Sequence, residues 1–217
     1  MKSSLEELVR RKIVVLDGAM GTMIQKHKLG EEEFRGEEFK DHPFPLRGNN
    51  DLLSVTKPDL IRNIHLEYLK AGADIITTNT FNANRISMAD YGLEGHVYEI
   101  NFRAAQTALE AVELYEKETG TEDHYIAGTL GPTNRTASMS ADVNDPGARS
   151  VTFDQLKEAY AEQARGLIDG GAGILMVETV FDVLNCKAAL FAIDGVFREK
   201  KKTLPVKIGR ASCRERV

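Results

Sequence analysis

The sequence is poor in the residues that mark several classes of protein. It has no tryptophan and only two cysteines, Cys186 and Cys213, which form no Cys-x-x-Cys motif. A disulfide framework is therefore excluded, and we expect a cytoplasmic location. No apolar run approaches the roughly 20 residues that span a bilayer, so we expect no membrane partner. The N-terminal segment lacks an apolar core and does not resemble a secretory signal.

The sequence has fewer basic than acidic residues, 28 Lys and Arg against 33 Asp and Glu. The formal net charge is −5, and this acidic balance argues against a nucleic-acid partner, which would require a basic surface. The 217 residues are 42% hydrophobic and 28% charged, as is typical of a globular protein. This length allows one large domain or two small ones.

The most informative stretch lies at residues 13–22, with the sequence IVVLDGAMGT. Its apolar start predicts a strand over residues 13–17 that is buried on both faces. Asp17 then follows at the carboxyl end of the strand, where ligands bind in barrels and open α/β sheets. Gly18 and Gly21 suit a loop folded closely around a small molecule. An ordinary helix cap is the simpler interpretation of Asp17 alone.

Strands and helices alternate along the rest of the chain. The turn at residues 69–76 is repeated at residues 168–175, each time as a helix end, small residues and an apolar strand. Strands are predicted at 13–17, 74–78, 125–129 and 173–177, with a fifth beginning at 204–206. Helices are predicted at 1–11, 57–70, 97–118, 154–169 and 182–199. This alternation predicts an α/β fold, a partial (β/α)8 barrel of about four and a half units, with a doubly wound sheet as the alternative.

Polar residues stand at the ends of the first four predicted strands. Asp17 and Gly18 follow the first, Thr78 and Asn79 the second, a Gly-Thr-Leu-Gly-Pro-Thr-Asn stretch the third, and Glu178 the fourth. We predict that they surround one pocket, in which Asp17 and Glu178 hold an ammonium group. Thr78 and nearby backbone N–H groups would hold a carboxylate, so the pocket suits an α-amino acid. Caps and turn hydroxyls explain each residue taken singly.

Other segments carry weaker signals. Residues 30–50 predict an irregular insertion, whose acidic run at 31–33 is interpreted as a solvated face. Thr56 is the predicted N-cap of the following helix. His65 and Glu67 form His-x-Glu without the Pro-Cys-x-x-Cys of a deaminase, so His65 is interpreted as a packed helix residue. Cys186 is interpreted as a small core residue.

Several longer stretches resemble one family. The chain is similar to the N-terminal homocysteine-binding domain of cobalamin-dependent methionine synthases, at residues 16–22, 77–84, 131–138, 142–146 and 177–182. The likeness runs from about residue 5 to residue 206, and the third and fourth stretches favour this branch over betaine-dependent relatives. The resemblance implies a (β/α)8 barrel that binds homocysteine. Asp17, Thr78 and Glu178 match the family's substrate-contacting positions.

The resemblance also implies cofactors for the whole enzyme. Zinc would hold the homocysteine sulfur as a thiolate, which takes the methyl group of methylcobalamin. Cobalamin and the folate that recharges it would be carried by downstream modules of the same polypeptide. The family's zinc cysteines follow strands six and eight, and neither Cys186 nor Cys213 matches them. We therefore assign no catalytic or metal-binding residue to this chain and expect it to be inactive alone.

The last eleven residues depart from the family pattern. Residues 207–217, KIGRASCRERV, look like one reading frame of a short-read sequencing adapter. We therefore predict a barrel domain over 1–206 followed by a non-native tail over 207–217. A natural basic tail with a reactive Cys213 is the alternative.

Two other functions stay open at this point. A homocysteine methyltransferase that uses betaine or S-methylmethionine would need no folate or cobalamin module. A barrel that binds an amino acid without catalysis would need no zinc cysteines.

Overall fold

The computed structural model describes residues 4–140, 142 and 144–210 as an α/β fold. The helices of the described chain are α1 (Leu5–Arg11), α2 (Met20–Gln25), α3 (Glu31–Arg35), α4 (Leu53–Thr56), α5 (Pro58–Lys70), α6 (Arg85–Met88), α7 (Val97–Thr119), α8 (Phe153–Asp169) and α9 (Val183–Lys200). The strands are β1 (Ile75–Thr77), β2 (Tyr125–Leu130), β3 (Ile174–Val180) and β4 (Val206–Arg210). Short 3-10 turns lie at Asn50–Leu52, Ala89–Tyr91 and Glu94–His96.

All four strands are parallel and lie in the sheet in chain order, β1-β2-β3-β4. A doubly wound sheet reverses its strand order at a switch point, whereas a barrel adds each strand beside the previous one. The observed order therefore confirms a partial barrel-like arrangement. Long helices separate the strands, as predicted, and their bounds agree with the predictions to within one residue.

The repeated turn has the same conformation at both of its occurrences. Gly72 follows α5 with a φ of 101°, and Gly171 follows α8 with a φ of 106°. Both values lie in the left-handed region that glycine enters without steric cost. Each turn leads within a few residues into a buried strand, β1 or β3, so the sequence repeat reflects a repeated αβ connection.

The prediction that residues 13–17 form a strand buried on both faces is wrong. Residues 15–17 form three backbone hydrogen bonds with Asp74 and with Ile75 of β1, but only Leu16 forms a strand bridge, with Ile75. Ile13 is 90% exposed and Val15 48% exposed. The physical reason is position, because β1 covers one edge of this segment and no strand of the described chain covers the other. Val15 N–H also donates to the Asp74 carboxylate, which fixes the segment at the sheet edge.

The sheet packs on its helices with one face and is apolar on the other. Ile76 and Ile126 pack against α5 and α7, while Leu175 and Val177 face α8 and α9. The inner face carries Ile75, Ala127, Ile174 and Met176, against which Leu5 of α1 packs. An apolar hollow of about 290 Å³ lies beside this face. Helix α1 therefore covers one end of the inner face, as the sequence predicts.

The predictions for the insertion at 30–50 were partly wrong. Its acidic run opens helix α3 instead of forming a plain solvated face. Glu31 accepts hydrogen bonds from the backbone N–H groups of Leu46 and Arg47 at 2.8 Å and pairs with Arg35 at 2.7 Å. Thr56 ends α4, and the N-cap of α5 is Lys57, because Pro58 occupies the first helical position.

Residues 207–210 extend Val206 into strand β4, while residues 211–217, including Cys213, lie outside the described chain. The non-native origin of 207–217 stays a prediction. No helix in the described ranges is both long and apolar enough to cross a membrane.

Candidate functional site

A cavity of about 340 Å³ lies where the strands end at their carboxyl edge. Four of the five predicted site residues, Gly18, Thr78, Asn79 and Glu178, line it. Three separate loops therefore meet at one place, as the polar strand ends predict. Its further lining includes Ala19, Met20, Gly21, Asn50, Asp51, Phe81 and Thr129. None of its lining residues in the described chain is a lysine, arginine or histidine.

Asp17 stands behind this lining and braces β1. Its Oδ2 accepts the backbone N–H of Thr77 at 2.8 Å, and its Oδ1 accepts the Thr77 hydroxyl at 2.9 Å. Burial raises the pKa of the Asp17 carboxyl to about 6, the bonds from Thr77 oppose the rise, and the charge of Glu178 adds to it. Asp17 and Glu178 are thus electrostatic neighbours, although Asp17 already has two partners within the protein.

Thr78 takes part in a hydrogen-bond network within the protein. Its Oγ1 accepts the Thr129 backbone N–H at 2.9 Å and lies 2.7 Å from Thr80 Oγ1. Because the Thr80 hydroxyl donates to the carbonyl of Thr129, the Thr78 hydroxyl proton goes to Thr80. The hydroxyl of Thr78 therefore has no proton left to donate to a ligand carboxylate. Its side chain instead joins β1 to β2 beneath the cavity.

Asn79 connects the β1 end to the loop before α4. Its Nδ2 donates to the Asn50 carbonyl at 2.7 Å and to Ser54 Oγ at 3.2 Å. Asn79 is buried, so these two bonds satisfy its amide donors. The amide thereby holds two cavity walls together.

Glu178 lies at an irregularity in β3. Val177 pairs with Ile208 and Val180 with Arg210, so Glu178 and Thr179 together stand opposite Gly209. Thr179 has a φ of 54°, which is rare for a β-branched residue. Such a bulge redirects side chains, and here it brings Glu178 to the cavity lining.

The Glu178 carboxylate receives no hydrogen bond or ion pair from any described residue. Burial raises the pKa of Glu178, and the charge of Lys207 opposes this rise. An acceptor of this kind at a cavity wall is suited to a cationic group supplied by a ligand.

Backbone N–H groups provide the opposite chemistry on another wall. None of the five amides from Gly18 to Thr22 donates to another group of the described chain. Gly18 and Gly21 have no positive φ, so their backbone freedom is not what these positions require. A Cβ at Gly18 would lie 3.1 Å from the Tyr68 ring, which shows that the loop approaches α5 closely. These free donors suit an anionic group.

Asp51 is a lining residue that the sequence analysis missed. Its side chain is buried, with 3% of the residue exposed, and its Oδ1 accepts the Asn82 backbone N–H at 2.9 Å. Burial raises the pKa of the Asp51 carboxyl to about 6. A signal for it exists in the polar triplet Asn49-Asn50-Asp51 directly before two leucines, since such a triplet in a buried segment needs partners.

The long loop after β2 is anchored beside the cavity. Asn185 Oδ1 accepts the Ala137 N–H at 3.0 Å, and Asp182 Oδ2 accepts the Ser138 N–H at 3.0 Å. The other Asp182 oxygen caps α9 at Leu184 and Asn185. The family-like stretches at 131–138 and 177–182 therefore form one hydrogen-bonded unit.

The donor set does not fit the zinc that the resemblance implies. No group of three or more His, Cys, Asp or Glu in the described ranges is arranged to hold a metal ion. Cys186 is half-buried on α9. His65 is fully buried with both ring nitrogens unpaired, which agrees with a packed helix residue. We therefore assign no metal to the described residues.

Comparison with known proteins agrees with this architecture. The structure of the homocysteine methyltransferase MmuM from Escherichia coli in its metallated form is similar, with a TM-score of 0.69 and 21% identity over 94% of this chain and 65% of that one. The oxidized form gives 0.68 and 21% over 94% and 64%, and the apo form 0.64 and 19% over 98% and 64%. At this identity the likeness shows the fold, and the chain spans just under two thirds of those structures. A family model described as homocysteine S-methyltransferase matches residues 14–214, so the chain belongs to the homocysteine S-methyltransferase family.

Proposed function

We propose that this chain binds homocysteine as part of a homocysteine S-methyltransferase. The observation that carries the proposal is that one cavity contains both a carboxylate acceptor and backbone N–H donors without partners in the described chain. The Glu178 carboxylate and the backbone N–H groups of residues 18–21, none of which is bonded to another group of the described chain, complement the ammonium and carboxylate of an α-amino acid. Met20 and Phe81 supply apolar lining for the side-chain methylenes.

The residues of this chain bind and orient the substrate. In the reaction the homocysteine sulfur loses its proton and forms a bond to the methyl carbon, while the bond from that carbon to the donor breaks. Asp17 keeps Thr77 and the end of β1 in place, and Thr78 joins that strand to β2. The loop at 131–138 is hydrogen-bonded to Asp182 and Asn185, which follow the Glu178 end of β3.

The narrower proposal is that the parent protein is a cobalamin-dependent methionine synthase. The stretches at 131–138 and 142–146 support this branch. Zinc, cobalamin and the folate module would then belong to the whole enzyme, and this chain alone would not transfer methyl groups. A cytoplasmic location belongs to the same proposal.

Calorimetric titration of the 217-residue chain with L-homocysteine tests the first proposal. We expect saturable binding, and Glu178→Gln should weaken it by at least about tenfold, because one charge-assisted bond is worth about 1.5–3 kcal/mol. A folded chain that shows no binding would contradict the proposal.

Reading the gene beyond codon 206 tests the narrower proposal. We expect the barrel to continue and to be followed by folate and cobalamin modules. A complete barrel gene without those modules would favour betaine or S-methylmethionine as the donor. A complete gene without the three zinc cysteines would favour a non-catalytic amino-acid-binding barrel.

A further inference from the structure

The loop at Asn50–Leu52 places a second carboxylate at the cavity, in addition to Glu178. Asp51 is 3% exposed, and neither a lysine nor an arginine nor a histidine of the described chain forms an ion pair with it. Among the residues that the structure describes, the one other residue that donates a hydrogen bond to its side chain is Asn82, whose N–H bonds to Oδ1. Burying a carboxylate without a counter-charge costs several kcal/mol, so a cationic group of a ligand would stabilise it.

The surroundings hold Asp51 firmly at the cavity wall. Asn49 Oδ1 caps the 3-10 turn that carries Asp51, by accepting the Leu52 N–H at 3.2 Å. Asn79 donates to the neighbouring Asn50 carbonyl, and Asn82 donates to Asp51 itself. The carboxylate is therefore fixed between the 49–52 and 79–82 segments, and in the described chain only the backbone N–H groups of Asn82 and of Asp51 itself bond to it.

We propose that Asp51 is a second anionic contact for the ammonium group of the bound amino acid, and thereby selects amino acids over their deaminated analogues. This inference rests on the proposed homocysteine binding. An ammonium group has three N–H donors and can bond to more than one carboxylate, and Asp51 and Glu178 line the same cavity. The lining residues of the described chain include no lysine, arginine or histidine, and no described basic residue forms an ion pair with Asp51, so a cationic ligand group would supply its counter-charge.

The test compares two ligands on three proteins by titration calorimetry at pH 7.5. The ligands are L-homocysteine and 2-hydroxy-4-sulfanylbutanoate, which has a hydroxyl in place of the ammonium. The proteins are the unsubstituted chain, Asp51→Asn and Asp59→Asn. Asparagine at 51 keeps an oxygen for the Asn82 N–H and removes only the charge. Asp59 is an exposed helix residue, so Asp59→Asn controls for the change in net charge.

We expect Asp51→Asn to weaken homocysteine binding by at least about tenfold and to leave the affinity for the hydroxy analogue unchanged, while Asp59→Asn changes neither. Equal affinity of Asp51→Asn and the unsubstituted chain for homocysteine would overturn the inference. An equal loss for both ligands would overturn it as well, because that pattern indicates a structural role. Failure of the folded, unsubstituted chain to bind homocysteine would instead refute the proposed function on which the inference rests.

Discussion

The Asp17 carboxylate holds Thr77 at two points, the backbone N–H at 2.8 Å and the side-chain hydroxyl at 2.9 Å. Asparagine can accept the N–H through its oxygen and donate to the hydroxyl through its nitrogen, whereas alanine can do neither. We expect Asp17→Ala to lower the free energy of unfolding by about 1–3 kcal/mol and Asp17→Asn to lower it by less than about 1 kcal/mol. Urea unfolding of both variants measures the difference. Equal losses would show that these two bonds contribute little.

The pKa values of about 6 for Asp17 and Asp51 predict two opposite effects of pH. Both values lie above the ordinary 3.8, so the folded chain binds these protons more tightly than the unfolded chain. The contribution of these groups to stability therefore falls as pH rises from about 4 through 6. Homocysteine binding needs the ionised carboxylates, so its affinity should fall as pH drops from 7.5 to 5.

Unfolding experiments at pH 5, 6 and 7.5 measure the change in stability, and calorimetric titration with homocysteine at the same pH values measures the change in affinity. Glu178, whose pKa is also raised, contributes to the binding effect in the same sense. The double variant Asp17→Asn, Asp51→Asn should flatten the stability profile over this window, while Glu178 keeps part of the pH dependence of the affinity. An affinity that does not change between pH 5 and 7.5 would contradict the proposed ion pairing.

The Thr78 hydroxyl predicts a loss of stability when it is removed, because it accepts the buried Thr129 N–H. Valine has nearly the same shape but no oxygen, so Thr78→Val should lower the free energy of unfolding by about 1–3 kcal/mol. Thr78→Ser keeps the oxygen and should retain both the Thr129 bond and most of the affinity for homocysteine. Chemical denaturation distinguishes the two variants. A valine variant as stable as the serine variant would rule out the described network.

Two helical glycines offer a matched pair of substitutions. A Cβ at Gly166 in α8 would lie 2.6 Å from the Tyr98 carbonyl oxygen of α7, whereas a Cβ at Gly195 in α9 would meet nothing within 4 Å. We expect Gly166→Ala to destabilise the chain by about 1–3 kcal/mol through overpacking. Gly195→Ala should stabilise it by about 0.5–1 kcal/mol, since alanine favours the helix. Thermal or urea unfolding tests the opposite signs.

The sequence predicted the elements whose partners lie close along the chain. The apolar strands at 125–130 and 174–180 and the helices between them follow from local periodicity and small-residue turns. The burial of residues 13–17 was predicted wrongly, because burial depends on what covers the second edge of a strand. Local pattern carries no information on that neighbour.

Four of the five residues predicted for the site line one cavity, and their roles in binding stay a prediction. Strand ends locate Glu178 and Thr78, because the carboxyl ends of parallel strands share one edge. The direction of the Thr78 proton depends on Thr80 and Thr129, which are brought together only by folding. Asp51 was missed because its burial and its contact with Asn82 join segments that are 31 residues apart.

The order of the strands has a consequence for synthesis on the ribosome. Each new strand of the described sheet is placed against the one made just before it, so β2, β3 and β4 each find their neighbouring strand already made. A growing chain can therefore add its αβ units one after another as they emerge, and the exposed edge moves forward with translation.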